Sequence, residues 1–120
     1  MAASVITDTI MIASVNPLEL ASLVKVEDVD LIDVREVSEW DTGHIPGARL
    51  VPLAEFRADP EKYLLRKPTV FICAKGVRSM AAAKLADRFG YDRLYNLEGG
   101  TKEWIALGLP AVVPAARVAA

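Results

Sequence analysis

Thr69-Val70-Phe71-Ile72-Cys73-Ala74-Lys75-Gly76-Val77-Arg78-Ser79, with the run that continues to Gly90, decides the fold. Pro68 launches Thr69–Cys73, a segment continuous in apolar residues, as expected of a strand buried on both faces of a parallel sheet. Ser79 is a candidate N-cap, after which Ala82, Leu85, Ala86 and Phe89 recur at helical spacing. Gly90 stands where a left-handed C-terminal residue belongs. A buried strand feeding a helix through a short glycine-containing loop is the unit of an α/β domain with right-handed crossovers. Ligands of such sheets bind outside the carboxyl ends of the strands, which is where Cys73 falls.

Working outward, the same alternation continues. Ile10-Met11-Ile12-Ala13-Ser14 reads as a short strand, and Asn16-Pro17 as an N-cap with proline at the first helical position. Leu18, Leu20, Leu23 and Val24 supply that helix with an apolar face. Val29–Val34 is a second strand, Glu36–Trp40 one or two helical turns, and Gly43 with Pro46-Gly47 a loop. Leu53–Phe56 and Pro60–Leu65 suit short surface helices or turns. Leu94–Leu97 is a further strand, Gly99-Gly100 a loop, and Thr101–Leu107 a last helix stopped by Gly108 and Pro110. One domain over residues 1–113 is expected, with residues 114–120 a loosely held tail.

At 120 residues, 52% hydrophobic and 25% charged, the chain suits one core and excludes the disordered and fibrous classes. A net charge of −2 leaves no general basic footprint for nucleic acid. One cysteine and one histidine exclude an intrachain disulfide and argue against a structural metal or any cluster cofactor. No apolar run reaches the length of about 18 residues that spans a membrane. The N-terminal MAASVITDTIMIAS has no Lys or Arg in its first ten residues and carries Asp8, a poor match to a secretory leader. The chain is therefore expected in the cytoplasm, where a lone thiol stays reduced. Its charge is divided: residues 1–72 carry 7 basic and 12 acidic groups, residues 73–120 carry 7 and 4. The thiol lies in the positive half.

The chemistry concentrates in Cys73 to Ser79. A short loop between strand end and helix start can curl its N–H groups around one point as an anion-binding nest, and the helix adds its positive N-terminus. Gly76 permits backbone conformations closed to other residues, and Lys75 and Arg78 add full charges. Free cysteine often only fills core space. Here its place among glycine, lysine and arginine ahead of a helix favours the thiolate, the nucleophilic form.

These residues carry a resemblance. Leu31-Ile32-Asp33-Val34-Arg35-Glu36, running through Glu39-Trp40 to Gly43-His44-Ile45-Pro46-Gly47-Ala48, is its first part. The Cys73–Ser79 loop is the second, and Asn96-Leu97-Glu98-Gly99-Gly100 with Trp104 and Gly108-Leu109-Pro110 the third. Together they span about residues 8–113, and the chain resembles a single-domain rhodanese of the sulfurtransferase family. The resemblance implies a mainly parallel sheet of four to five strands flanked by helices on both faces. It implies Cys73 as the nucleophile, which takes sulfur from a small anionic donor such as thiosulfate and passes it from a persulfide to cyanide or a thiol. A protein acceptor would serve equally. In this scheme Ala74, Lys75, Gly76, Val77 and Arg78 form the substrate cradle, with Lys75 and Arg78 as donor-binding cations, and no metal or cofactor is called for. Four residues separate Cys73 from Arg78, whereas related cysteine phosphatases use five, a wider loop that admits a tetrahedral phosphate. Ala74 departs from the polar or basic residue that many relatives carry, which bears on donor and acceptor preference. A partner-binding or sulfur-carrier module without turnover and a thiol redox sensor are the alternative readings.

Asp33, Arg35 and Ser79 are the supporting pocket residues. Asp33 and Arg35 flank the expected active face, where a polar pair more often satisfies the turn after a strand than shapes a pocket. His44 is read as ordering the Gly43–Ala48 turn rather than as a general base, and Trp40 and Trp104 as packing residues. Gly99-Gly100 either borders the pocket or makes a tight turn.

Overall fold

A computed structural model describes residues 12–115. Ile10 and Met11 of the first expected strand, and the expected tail from residue 116 onward, lie outside the described residues. The elements follow in the order β1 (Ile12–Val15), α1 (Pro17–Val26), β2 (Asp30–Asp33), α2 (Val37–Trp40), β3 (Arg49–Leu50) and α3 (Leu53–Ala58). Then come α4 (Pro60–Tyr63), β4 (Thr69–Ile72), α5 (Val77–Arg88), β5 (Leu94–Leu97) and α6 (Gly100–Ala106). The five strands pair in the order β1-β5-β4-β2-β3, all parallel. Every carboxyl end therefore lies on one side, and β4 sits in the middle.

The period of two along each strand divides the core into two layers. Phe71 and Cys73 of the β4 segment, with Ile32 and Val34 of the β2 segment, pack against Phe56 of α3 and against Ala82, Ala83 and Ala86 of α5. Val70 and Ile72, with Leu31 and Leu97, face the opposite layer, built on Leu20 of α1 and Trp104 of α6. Helices thus cover both faces, and the small alanines of α5 let that helix lie close to the sheet. Phe56 and Phe71 meet edge to face, with ring centroids 5.5 Å apart.

Local signals were obeyed where backbone groups demanded it. Asn16 caps α1 by accepting from the Glu19 N–H, and the Glu19 carboxylate accepts from the Asn16 N–H, both at 2.8 Å. Three expectations need correction. Leu18 and Val24 are exposed, so α1 buries Pro17 and Leu20 instead of a four-residue stripe, and Phe89 is likewise exposed at the end of α5. The sheet carries an edge strand the sequence reading lacks, β3, whose two residues, Arg49 and Leu50, are too few to show a period and are held by β2. Ser79 does not cap α5: the cap lies three residues earlier, at Gly76 in a left-handed conformation (φ 102°), and the helix begins at Val77. The Ser79 hydroxyl is free for another task because the cap is backbone.

Candidate active site

Cys73 follows the last residue of β4 and begins the loop. It is 1% exposed, with its side chain turned into the α5 layer. Gly76 N–H donates to Sγ at 3.0 Å, and the Ser79 hydroxyl lies 3.2 Å from it. The left-handed φ of Gly76 aims that N–H inward, and a Cβ there would meet the Leu97 carbonyl at 3.2 Å. Burial pushes the Cys73 thiol up. The Ser79 hydroxyl and the N–H groups of Ser79, Lys75 and Gly76 pull it down more strongly, leaving it below the ordinary thiol value.

The loop is braced from β5 and α6. Asn96, buried in β5, donates from Nδ2 to the Gly76 carbonyl at 3.1 Å and accepts from the Ser79 hydroxyl at 2.5 Å. Thr101 N–H donates to the Cys73 carbonyl at 2.8 Å, and Lys102 N–H to the Ala74 carbonyl at 3.0 Å. Gly100 must be glycine for this contact, since a Cβ there would strike the Ala74 and Cys73 carbonyls. Gly99-Gly100 is thus both a positive-φ turn and the border of the site.

The two expected cations behave differently. Arg78 makes a two-pronged ion pair with Glu39 of α2, both bonds at 2.8 Å. That bidentate hydrogen bond outweighs partial burial and holds the Glu39 carboxyl down at about 2. Arg78 therefore anchors the loop to α2 and is not a free donor-binding cation. Lys75 is exposed at the rim and, among the described residues, makes no ion pair. Ala74 is half-buried and Val77 exposed, so the rim beside Lys75 is apolar.

Asp33 and Arg35 form a buried pair, with Arg35 donating to both Asp33 oxygens and onward to the Gly43 and Glu39 carbonyls. They tie β2 to α2 and the following turn, and so support Glu39 from behind. His44 stacks on Trp40, with ring centroids 3.4 Å apart, and its backbone bridges Val112. Trp104 is buried and donates Nε1–H to the Pro110 carbonyl. Asn96 and Glu39 were not singled out as site residues from the sequence. A polar residue inside an otherwise apolar strand was the available signal for Asn96. Glu39 offered none, because its partner lies 39 positions away.

The family model described as Rhodanese-like domain matches residues 16–107. The chain belongs to this family. Among rhodanese-like relatives, a Sulfurtransferase of Allochromatium vinosum is 35% identical over 92 residues, covering 77% of this chain and 86% of that protein. The mouse thiosulfate sulfurtransferase/rhodanese-like domain-containing protein 3 is 39% identical over 101 residues, covering 72% of this chain. The chain spans 64% of the mouse protein's length. A rhodanese-related protein of Thermoplasma volcanium superposes with a TM-score of 0.77 at 34% identity, covering 85% of this chain and 99% of that one. The five-stranded parallel sheet with helices on both faces is thus the rhodanese-like fold expected from the sequence.

Proposed function

We propose that this rhodanese-like domain is a sulfurtransferase that works through a persulfide on Cys73. The observation that carries the reading is the Gly76 N–H held 3.0 Å from Sγ inside a four-residue loop. The Cys73 thiolate attacks the outer sulfur of a donor such as thiosulfate. A new S–S bond forms, the donor's own S–S bond breaks, and its electron pair leaves on sulfite. The persulfide then carries one negative charge on its outer sulfur. Cyanide, or a thiolate of small-molecule or protein origin, attacks that sulfur and returns Cys73 to the thiolate. No proton is needed in either displacement, so His44, committed to stacking on Trp40, has no general-base task.

Specificity follows from access and charge. A sulfur 1% exposed favours a donor that presents a single protruding atom, as a terminal sulfane sulfur does. The Gly76 N–H donates to Sγ, where the charge sits before transfer, and so favours the nucleophilic thiolate. Lys75 draws the anionic donor to the rim. The lone thiol suits a reducing compartment such as the cytoplasm. Thiosulfate with cyanide should yield thiocyanate, and Cys73→Ser should abolish it. Wild-type turnover no faster than the variant would contradict the assignment.

A further inference from the structure

The Gly76 carbonyl can only accept, so the Asn96 amide nitrogen must face it, which turns Oδ1 toward Ser79. Oδ1 also can only accept, so the single hydroxyl proton of Ser79 points at Asn96. Sγ, 3.2 Å from the same oxygen, then sees a lone pair. That arrangement suits a Cys73 thiol, whose S–H donates to Ser79 Oγ, and repels a thiolate. The hydroxyl adds to the N–H stabilisation of a thiolate only if it turns its proton away from Asn96.

We propose that Ser79 is a two-position hydrogen-bond switch, set by Asn96, that follows the charge on Cys73. When Cys73 ionises, the S–H bond breaks, the proton leaves to solvent and the electron pair stays on Sγ. The Ser79 hydroxyl rotates about its Cβ–Oγ bond and donates to Sγ, with its own O–H bond intact. Asn96 keeps its donation to Gly76 and so holds the second donor in place. When sulfur is loaded, the charge moves to the outer sulfur, Sγ becomes a poor acceptor, and the hydroxyl swings back to Asn96. This last step rests on the persulfide reading; the earlier ones do not. Asn96 is thus a positioning residue that competes with the thiolate for one proton.

The charged groups around the thiol are Lys75 of its own loop, Arg78 in the first turn of α5, Glu39 of α2 bound to Arg78, and the Asp33–Arg35 pair at the end of β2. From β5 the loop meets the uncharged Asn96 side chain, and from α6 the backbone N–H groups of Thr101 and of Lys102, whose side chain is exposed. The switch therefore predicts a coupling between two neutral residues that a charge effect cannot produce.

The test is the pH profile of Cys73 alkylation by iodoacetamide, without sulfur donor, in a double-mutant cycle. Asn96→Leu removes the competing acceptor. Relative to its effect in the Ser79→Ala background, it should raise the thiolate fraction below the midpoint by up to about tenfold, a displacement of about one pH unit. Asn96→Val, which removes the same acceptor with a neutral β-branched side chain suited to a strand, should couple in the same direction, and it serves if the leucine variant fails to fold. Equal effects of the substitution in both backgrounds would overturn the switch, because a purely structural Asn96 acts the same with or without the hydroxyl. Intact mass after thiosulfate keeps the two claims apart. Coupling without added sulfur sinks the persulfide reading alone, and added sulfur without coupling sinks the switch alone.

Discussion

At the scale of single residues, the chemistry depends on which charges are free. Lys75 and Arg78 look equivalent in sequence, yet among the described residues Lys75 has no carboxylate partner, whereas Arg78 is committed to Glu39. Lys75→Ala should raise the KM for thiosulfate about threefold to fivefold at low salt with kcat little changed, the scale of an exposed charge. Added salt should shrink that difference. Steady-state kinetics at two ionic strengths checks both. The Cys73 thiol lies below its ordinary value, so reactivity should be retained as pH falls past the usual thiol range and lost as pH drops through the lowered value. A pH profile of alkylation that matches a free cysteine would contradict this. Glu39 is lowered to about 2, so whatever stability its pair adds is complete above the ordinary carboxylate range and is lost as pH falls toward 2. With the pair about a third exposed, that contribution is small.

At the scale of elements, the strand–loop–helix around Cys73 was legible because each part carries a physical signature: an apolar run, a glycine at a left-handed turn, alanines on the packed helix face. What escaped was what lies between elements. Asn96 reaches back 20 positions to Gly76, and Arg78 reaches Glu39, pairings that periodicity does not encode. Ser79 misled for a related reason. A serine near a helix start reads as a cap, but here backbone at Gly76 makes the start and the hydroxyl serves the site. The α6 brace makes the sharpest prediction at this scale. Gly100→Ala would place a Cβ against the Ala74 carbonyl at φ 62° and should destabilise by at least about 2 kcal/mol. Displacing the Cys73 carbonyl, it should also cut turnover at temperatures where the variant is still folded; unchanged kcat in a folded variant would contradict the brace.

At the scale of the whole molecule, parallel strands gather every functional loop on one side, and buried polar pairs keep those loops in register with the sheet. Asp33→Ala would leave Arg35 buried and unpaired, which costs about 3–5 kcal/mol. Thermal denaturation should show a midpoint lower by at least about 12 °C. The parallel sheet covered by helices on both faces was readable from the pattern of strands buried on both faces, and with it the carboxyl-end position of the candidate site. The edge strand β3 was not, because its pairing with β2 makes it a strand and its own two residues do not. All of this structure converges on one sulfur atom. The persulfide on Cys73 is tested by intact-mass spectrometry after incubation with thiosulfate, followed by peptide mapping. One added sulfur is expected, located on Cys73, absent from Cys73→Ser and removed by cyanide. A wild-type chain that gains no sulfur, or gains it elsewhere, would contradict it.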